Sequence, residues 1–250
     1  MKITESNLRK LIRKELLNEK SSTSTSTIVE QTDTDSDSDT DTDTDADGMT
    51  YAPIPKKDGL EPKERAVLDA FNIDDSEQGK VIDGNNYLST LTSSAQTKLN
   101  EFFGDLSRAG ISVSLNSGLR SITKQYDIWT DRNTLDGELK PGETVAAKPG
   151  LSNHNYGTAI DLNASYRTKD GNLVELKKDS SKDKWKPVSM LALRLGLTWG
   201  GDFLPFPKKY DPIHFDTGGS GAKTLYNKLV NLNNKETNPH KWDKSTLTKV

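Results

Sequence analysis

Two of the chain's three histidines sit among acids at spacings that could hold a metal. His154 lies in Ser152-Asn153-His154-Asn155-Tyr156-Gly157-Thr158-Ala159-Ile160-Asp161, and His214 in Asp211-Pro212-Ile213-His214-Phe215-Asp216. Zinc takes neutral imidazole nitrogen and carboxylate oxygen, and a catalytic site uses three protein ligands plus an open position for water. His154, Asp161 and His214 supply such a set. With no cysteine in 250 residues, thiolate ligands and a disulfide framework are both excluded. Zinc lets water lose a proton near neutral pH, and a neighbouring carboxylate can take that proton and return it to a leaving amine. Asp211, three residues ahead of His214, is the candidate base. Spacing alone does not separate this from two unrelated histidines with acids nearby, which is the commoner occurrence.

The elements that must position these groups are legible in part. Ser93–Ser94 can cap a helix carrying Ala95, Leu99, Phe102, Phe103 and Leu106 on one face, ended by Gly110. Ile111, Val113 and Leu115 then alternate with polar residues, as a half-buried strand does. A second helix is expected from Pro187 as its first residue, through Val188, Leu191, Ala192 and Leu195. Residues 62–71 read as a possible helix, and short apolar runs at 159–162, 197–199 and 213–215 suit strands. In the last of these, period-2 alternation sends the His214 ring to one face and its apolar neighbours to the other.

Upstream the composition changes. Residues 4–17 form a short amphipathic helix pattern with Leu8, Leu11, Ile12 and Leu16 on one face, and Thr4 or Ser6 can cap it. A helix that short needs something to dock on. Residues 21–58 are a Ser/Thr/Asp linker expected to be disordered, because its nearly apolar-free body cannot offset the entropy of ordering. Asp43, Asp45, Asp47 and Gly48 imitate the start of a calcium loop, but Ile54 stands where a bidentate Glu belongs. The domain carrying the candidate metal ligands is placed at 59–220, and 221–250 is read as a polar C-terminal tail. The net charge of −3 includes eight Asp within 31–48, leaving a mild positive excess elsewhere without a dense basic run. Nucleic acid is therefore not an expected partner. No apolar run reaches the ~18 residues of a membrane span, and charged residues interrupt the N-terminus where a signal peptide needs an apolar core.

Beyond these local readings, four separate motifs share one order with a known family. They are Ser117-Gly118-Leu119-Arg120-Ser121 with Gln125, Ser-x-His-x-x-Gly-x-Ala-x-Asp at 152–161, Trp199-Gly200-Gly201-Asp202-Phe203, and Asp-x-x-His-Phe at 211–215. Together they resemble the zinc D-alanyl-D-alanine carboxypeptidase and L-alanyl-D-glutamate endopeptidase family, over residues 93–217. This family includes phage endolysins and vancomycin-resistance D,D-carboxypeptidases. The resemblance implies an α+β fold of the hedgehog/D-Ala-D-Ala peptidase kind, a small antiparallel sheet with packed helices. It implies Zn2+ held by His154, Asp161 and His214, with Asp211 as base. Arg120 corresponds to the family's substrate arginine, able to hold a carboxylate or stabilise an oxyanion, while Gln125 and Ser152 would contact substrate. Trp199 is read as core, Asp202 as either a turn residue or support for a ligand, Asp216 as solvent-facing and His240 as a bystander. The implied substrate is bacterial peptidoglycan. The implied activity is the L-alanyl-D-glutamate endopeptidase, with the D-alanyl-D-alanine carboxypeptidase or an inactive metal-bound wall-binding module as alternatives. The first residues also resemble leaders of tailed-phage proteins, with Leu17-Asn18-Glu19 and Ile28-Val29-Glu30 as processing patterns. On that reading the protein belongs in a phage virion, or in host cytoplasm before lysis, with virion proteins met through the N-terminal helix.

Overall fold

The computed structural model describes residues 62–203, 210–218 and 222–250. The N-terminal helix pattern, the acidic linker and the processing patterns lie outside these residues. Among the described residues, no helix is long and apolar enough to cross a membrane.

Helix α1 (Pro62–Ala70) places proline first, where its missing N–H costs nothing, and turns Leu68 into the core. A two-residue strand β1 (Val81–Ile82) precedes helix α2 (Ser93–Arg108). The cap of α2 is Thr92, one residue before the serines expected to serve, and its hydroxyl accepts from the Ala95 amide at 3.4 Å. Helix α2 buries the apolar face read from its spacing, with Leu99, Phe102 and Leu106 fully enclosed. Each such side chain contributes about 1.5–3 kcal/mol relative to exposure. Strand β2 (Ser112–Ser117), helix α3 (Ile122–Arg132), strand β3 (Ala159–Arg167) and strand β4 (Leu173–Leu176) follow. Helix α4 (Lys182–Arg194), strand β5 (Thr198–Trp199), strand β6 (His214–Asp216) and helix α5 (Ala222–Leu232) complete the order.

The six strands form one sheet with spatial order β1-β2-β3-β6-β5, and β4 also pairs with β3. All pairings are antiparallel except β1 with β2. Along β3, Ile160, Leu162, Ala164 and Tyr166 point into the core, while Asp161 is on the opposite face. Helices α2 and α4 cover the core face: Phe215 of β6 has its ring 5.3 Å from Phe102 and 6.1 Å from Trp185.

Two expectations need correction. Helix α4 starts at Lys182, so Pro187 lies inside it rather than at its first position. The carbonyl of Asp183 loses its helical partner, a cost of about 3 kcal/mol. Burial of Trp185, Val188, Leu191 and Ala192 around the proline exceeds that cost. The stretch 221–250, read as a polar tail, folds into α5 and two short 3-10 turns. Leu229, Trp242 and Leu247 join Tyr126 of α3 in a second apolar cluster. Their wide spacing among Asn and Lys concealed them. Helix α3 itself gave no clear periodic signal, and its Ser121 cap, accepting from the Lys124 amide at 3.1 Å, sits inside the Ser117–Ser121 motif.

Candidate metal centre

Sheet register brings the distant motifs together. Asp161 of β3 has Ser117 of β2 as its cross-strand partner on one side and His214 of β6 on the other. A bulge in β2 between Leu115 and Ser117 sets that alignment. His154 enters from a 3-10 turn, Asn153–Tyr156, just before β3. Gly157 closes this turn at φ +63°, a left-handed conformation that suits glycine. The turn is anchored on the loop ahead of α3, where the Arg120 amide donates to the His154 carbonyl at 2.9 Å and the Asn155 side chain donates to the Arg120 carbonyl at 2.8 Å.

Three ligand atoms converge. His154 Nε2 lies 3.1 Å from Asp161 Oδ1 and 3.2 Å from His214 Nδ1, and His214 Nδ1 lies 3.2 Å from the same oxygen. Tetrahedral zinc with bonds of ~2.0–2.1 Å separates its ligand atoms by about 3.3 Å, so the triangle has the size the ion requires. The proton positions follow from the other ring nitrogens. His154 Nδ1 donates to the Gly118 carbonyl at 2.7 Å, and His214 Nε2 faces Asp216 Oδ2 at 3.3 Å. Both partners only accept, so each neutral ring carries its proton there and aims its lone pair at the shared point. With both rings neutral, two lone pairs and a carboxylate oxygen face one point, a set that could hold a cation.

Electrostatics agree. Burial works against a charged His214 ring, yet hydrogen bonds with Asp161 and Asp216 raise it to about 9. Burial likewise disfavours the Asp161 carboxylate, but hydrogen bonds and charge from His154 and His214 hold it far below the usual range. The pocket favours positive charge, whether proton or metal ion.

The three ligands line a cleft of about 310 Å³ that also contains Arg120, Gln125, Ser152 and Asp211. All seven residues singled out from the sequence therefore share one site. Asp211 Oδ1 is buried and has no hydrogen-bond partner. Burial, then the charge of Asp161, pushes its carboxyl above the ordinary carboxylate value. Arg120 is already engaged: Nη2 donates to Asp161 Oδ2 at 3.0 Å and to Ser117 Oγ at 3.1 Å, and Nη1 donates to Gln125 Oε1 at 2.9 Å. It fixes the ligand carboxylate as well as lining the cleft. Gln125 is buried, and its amide donates to the Ala147 carbonyl at 2.7 Å.

The Trp199–Phe203 segment supports the site from behind. The Trp199 indole is core, and its Nε1 donates to the Pro212 carbonyl at 2.8 Å. A side chain on Gly200 would place Cβ 2.3 Å from the Asp211 carbonyl oxygen and 2.9 Å from His214 Cβ, so only glycine lets the two loops touch. Asp202 is on the surface, paired with Lys182 at 2.5 Å. The solvent-facing reading of Asp216 is corrected: it is 3% exposed and orients His214. Strand alternation, which puts 214 and 216 on one face, was the signal for this. Arg132 and Lys178, which carried no sequence signal, also line the cleft, as does Phe203 at the end of the Trp199–Phe203 motif, its ring 5.5 Å from that of His214. His240 is not one of the metal-grouped residues.

Known proteins match part of this chain in sequence. The profile of the D-alanyl-D-alanine carboxypeptidase (VanY) family matches residues 88–207, ending before Asp211 and His214. The peptidoglycan L-alanyl-D-glutamate endopeptidase CwlK of Bacillus subtilis (strain 168) is 34% identical over 101 residues, 39% of this chain. The chain spans 57% of that relative's length. Among solved structures, the vancomycin resistance D,D-pentapeptidase VanY, a mutant in complex with Zn(II), is 19% identical with a TM-score of 0.36. That match covers 55% of this chain and 78% of the other. The LdcB LD-carboxypeptidase is 21% identical with a TM-score of 0.40, covering 75% and 92%. Over residues 88–207 the chain is thus similar to the VanY family.

Proposed function

We infer that the protein is a zinc metallopeptidase that hydrolyses an amide bond in the stem peptides of bacterial peptidoglycan. The observation that carries this is the convergence of His154 Nε2, Asp161 Oδ1 and His214 Nδ1, with both ring tautomers fixed from outside. Held there, zinc would supply Lewis acidity to water and to the scissile carbonyl. Asp211 then has the protein's part in proton transfer. Its unpartnered oxygen accepts the proton of the attacking water and delivers it to the departing amine, and its raised pKa suits both directions of transfer. Arg120 keeps Asp161 aligned and places positive charge on the cleft wall, where a substrate carboxylate or the developing oxyanion is stabilised. Gln125 keeps Arg120 in place, and Ser152 contributes to the same wall.

Within this class we favour the L-alanyl-D-glutamate endopeptidase over the D-alanyl-D-alanine carboxypeptidase. The Trp-Gly-Gly-Asp and Asp-x-x-His-Phe segments support it, as does the similarity to an endopeptidase of that specificity. A phage origin, with virion proteins met through the N-terminal segment, belongs to the same proposal and rests on the leader-like pattern alone. The test is digestion of purified peptidoglycan with and without chelator, the new termini being identified by mass spectrometry. A new N-terminal D-glutamate that disappears with chelator is expected. Free D-alanine would move the assignment to the carboxypeptidase, and no product at any zinc level would favour a wall-binding module.

A further inference from the structure

One wall of the cleft is built without regular structure. Residues 133–150 join α3 to the His154 turn, and their only pairing is the isolated bridge between Asn133 and Leu139. Val145, Ala146 and Ala147 of this stretch face the cleft. A connection this long would ordinarily sample many conformations.

It is held at both ends by the chain beyond α5. At the start, the His240 ring donates from Nε2 to the Asn133 carbonyl at 3.1 Å, and the Asn238 side chain donates to the Leu135 carbonyl at 2.9 Å. At the far end, Lys148 Nζ donates to the Thr237 carbonyl at 2.7 Å. The buried Trp129 ring lies between, 5.3 Å from the His240 ring and 5.9 Å from Lys148 Nζ. The holding segment is itself rigid. Trp242 Nε1 donates to the Glu236 carbonyl at 2.9 Å, and the Asn233 side chain accepts from the Asp243 amide at 2.8 Å. From the same far end of the wall a line of hydrogen bonds runs to the ligand set, through the Ala147 carbonyl, Gln125, Arg120 and Asp161 Oδ2. The stretch matched to the VanY family stops at residue 207, so this C-terminal segment is a feature of the chain outside the matched region.

We propose that residues 233–243 act as a clasp that fixes the 133–150 wall and thereby sets substrate affinity, with Asn238 and His240 as positioning residues. The affinity part rests on the peptidase reading above. Neither residue touches the metal ligands, so loosening the clasp widens the range of wall conformations without removing a group that does chemistry. Substrate binding then carries the cost of selecting the closed wall, and the apparent affinity drops by the fraction of molecules that hold it.

The test uses the full chain, with Asn238→Ala, His240→Ala and the conservative His240→Gln. Amide hydrogen exchange is followed by mass spectrometry, and kinetics are measured on a soluble stem-peptide fragment. Loss of one such hydrogen bond corresponds to roughly a 3- to 10-fold change in the closed population. Faster exchange confined to 134–149 is expected, with β3 protection and zinc content unchanged. KM should rise by that factor in the alanine variants while kcat stays within about twofold, and His240→Gln should recover most of it. Unchanged exchange over 134–149 would overturn the clasp. So would a general loss of protection in which kcat and zinc content fall together, the mark of a merely structural role. If the wild-type chain cleaves nothing, the peptidase reading fails, and the exchange pattern still decides whether the wall is clasped.

Discussion

The cleft has two walls of different construction. The sheet wall holds Asp161 and His214 on adjacent strands, paired Cα to Cα, so their separation is set by backbone hydrogen bonds that repeat along β3 and β6. The loop wall, 133–150, has almost no such ladder and is held by side chains reaching from α3 and from the C-terminal segment. Register fixes a position to within a fraction of an ångström, as a cluster of metal ligands demands. A loop tied by separate hydrogen bonds adapts more easily, which suits the recognition of a substrate. On the proposed function, chemistry falls to the sheet wall and selection to the loop wall.

That contrast can be broken or sharpened by substitution. On the sheet side, Asp211→Asn should lower kcat by roughly 10²- to 10⁴-fold while zinc stays bound, since the base is lost and the ligands are not. Retained kcat would remove Asp211 from the reaction. The same variant has a stability signature in the metal-free protein. The folded-state pKa of Asp211 is raised by burial and by Asp161, so the ionised carboxylate opposes folding above that pKa and the protonated one does not. Asp211→Asn should therefore melt at a higher temperature near neutral pH, with the difference closing as the pH falls through the carboxylate range. Next in size, Asp216→Ala should weaken zinc binding about 10- to 100-fold, because the His214 ring loses the acceptor that orients it. Equilibrium dialysis measures this, and an unchanged affinity would make Asp216 a packing residue. Smallest of the three, Gln125→Ala frees both the Ala147 carbonyl and Arg120 Nη1. Its effect should fall mainly on KM, about 10-fold or less, with zinc retained. A loss confined to kcat would place Gln125 with the chemistry and blur the distinction between the walls.

The same division explains what could be read from the sequence. Helix α2 and strand β2 were legible because burial imposes period 3.6 on Leu99, Phe102 and Leu106 and period 2 on Val113 and Leu115. The candidate ligand triad was legible because three histidines left few nitrogen ligands, and the order of the four family motifs singled out Asp161 among 37 acids. Asp216 was within reach, since alternation from His214 places it on the same face, but an exposed carboxylate next to a strand end is the ordinary case. The loop wall and its clasp were not legible. Their contacts run through main-chain carbonyls of Asn133, Leu135, Thr237 and Ala147, which every residue type possesses. The second core was hidden for a related reason, with Tyr126, Leu229, Trp242 and Leu247 spread over more than a hundred positions. Asp202 and the motif glycines carried a signal whose meaning only the packing supplied: Gly200 is needed for closeness to Asp211, not for catalysis.

The account depends on a cation at the meeting point of two imidazoles and a carboxylate, and metal stoichiometry tests that most directly. Purified full-length chain would be stripped with chelator, dialysed against zinc and analysed by elemental mass spectrometry, beside His214→Ala. One zinc per chain in the wild type, near zero in the variant, with wall-digesting activity returning only in the first, is the expected result. Full digestion by the stripped protein, or equal zinc content in both, would contradict it.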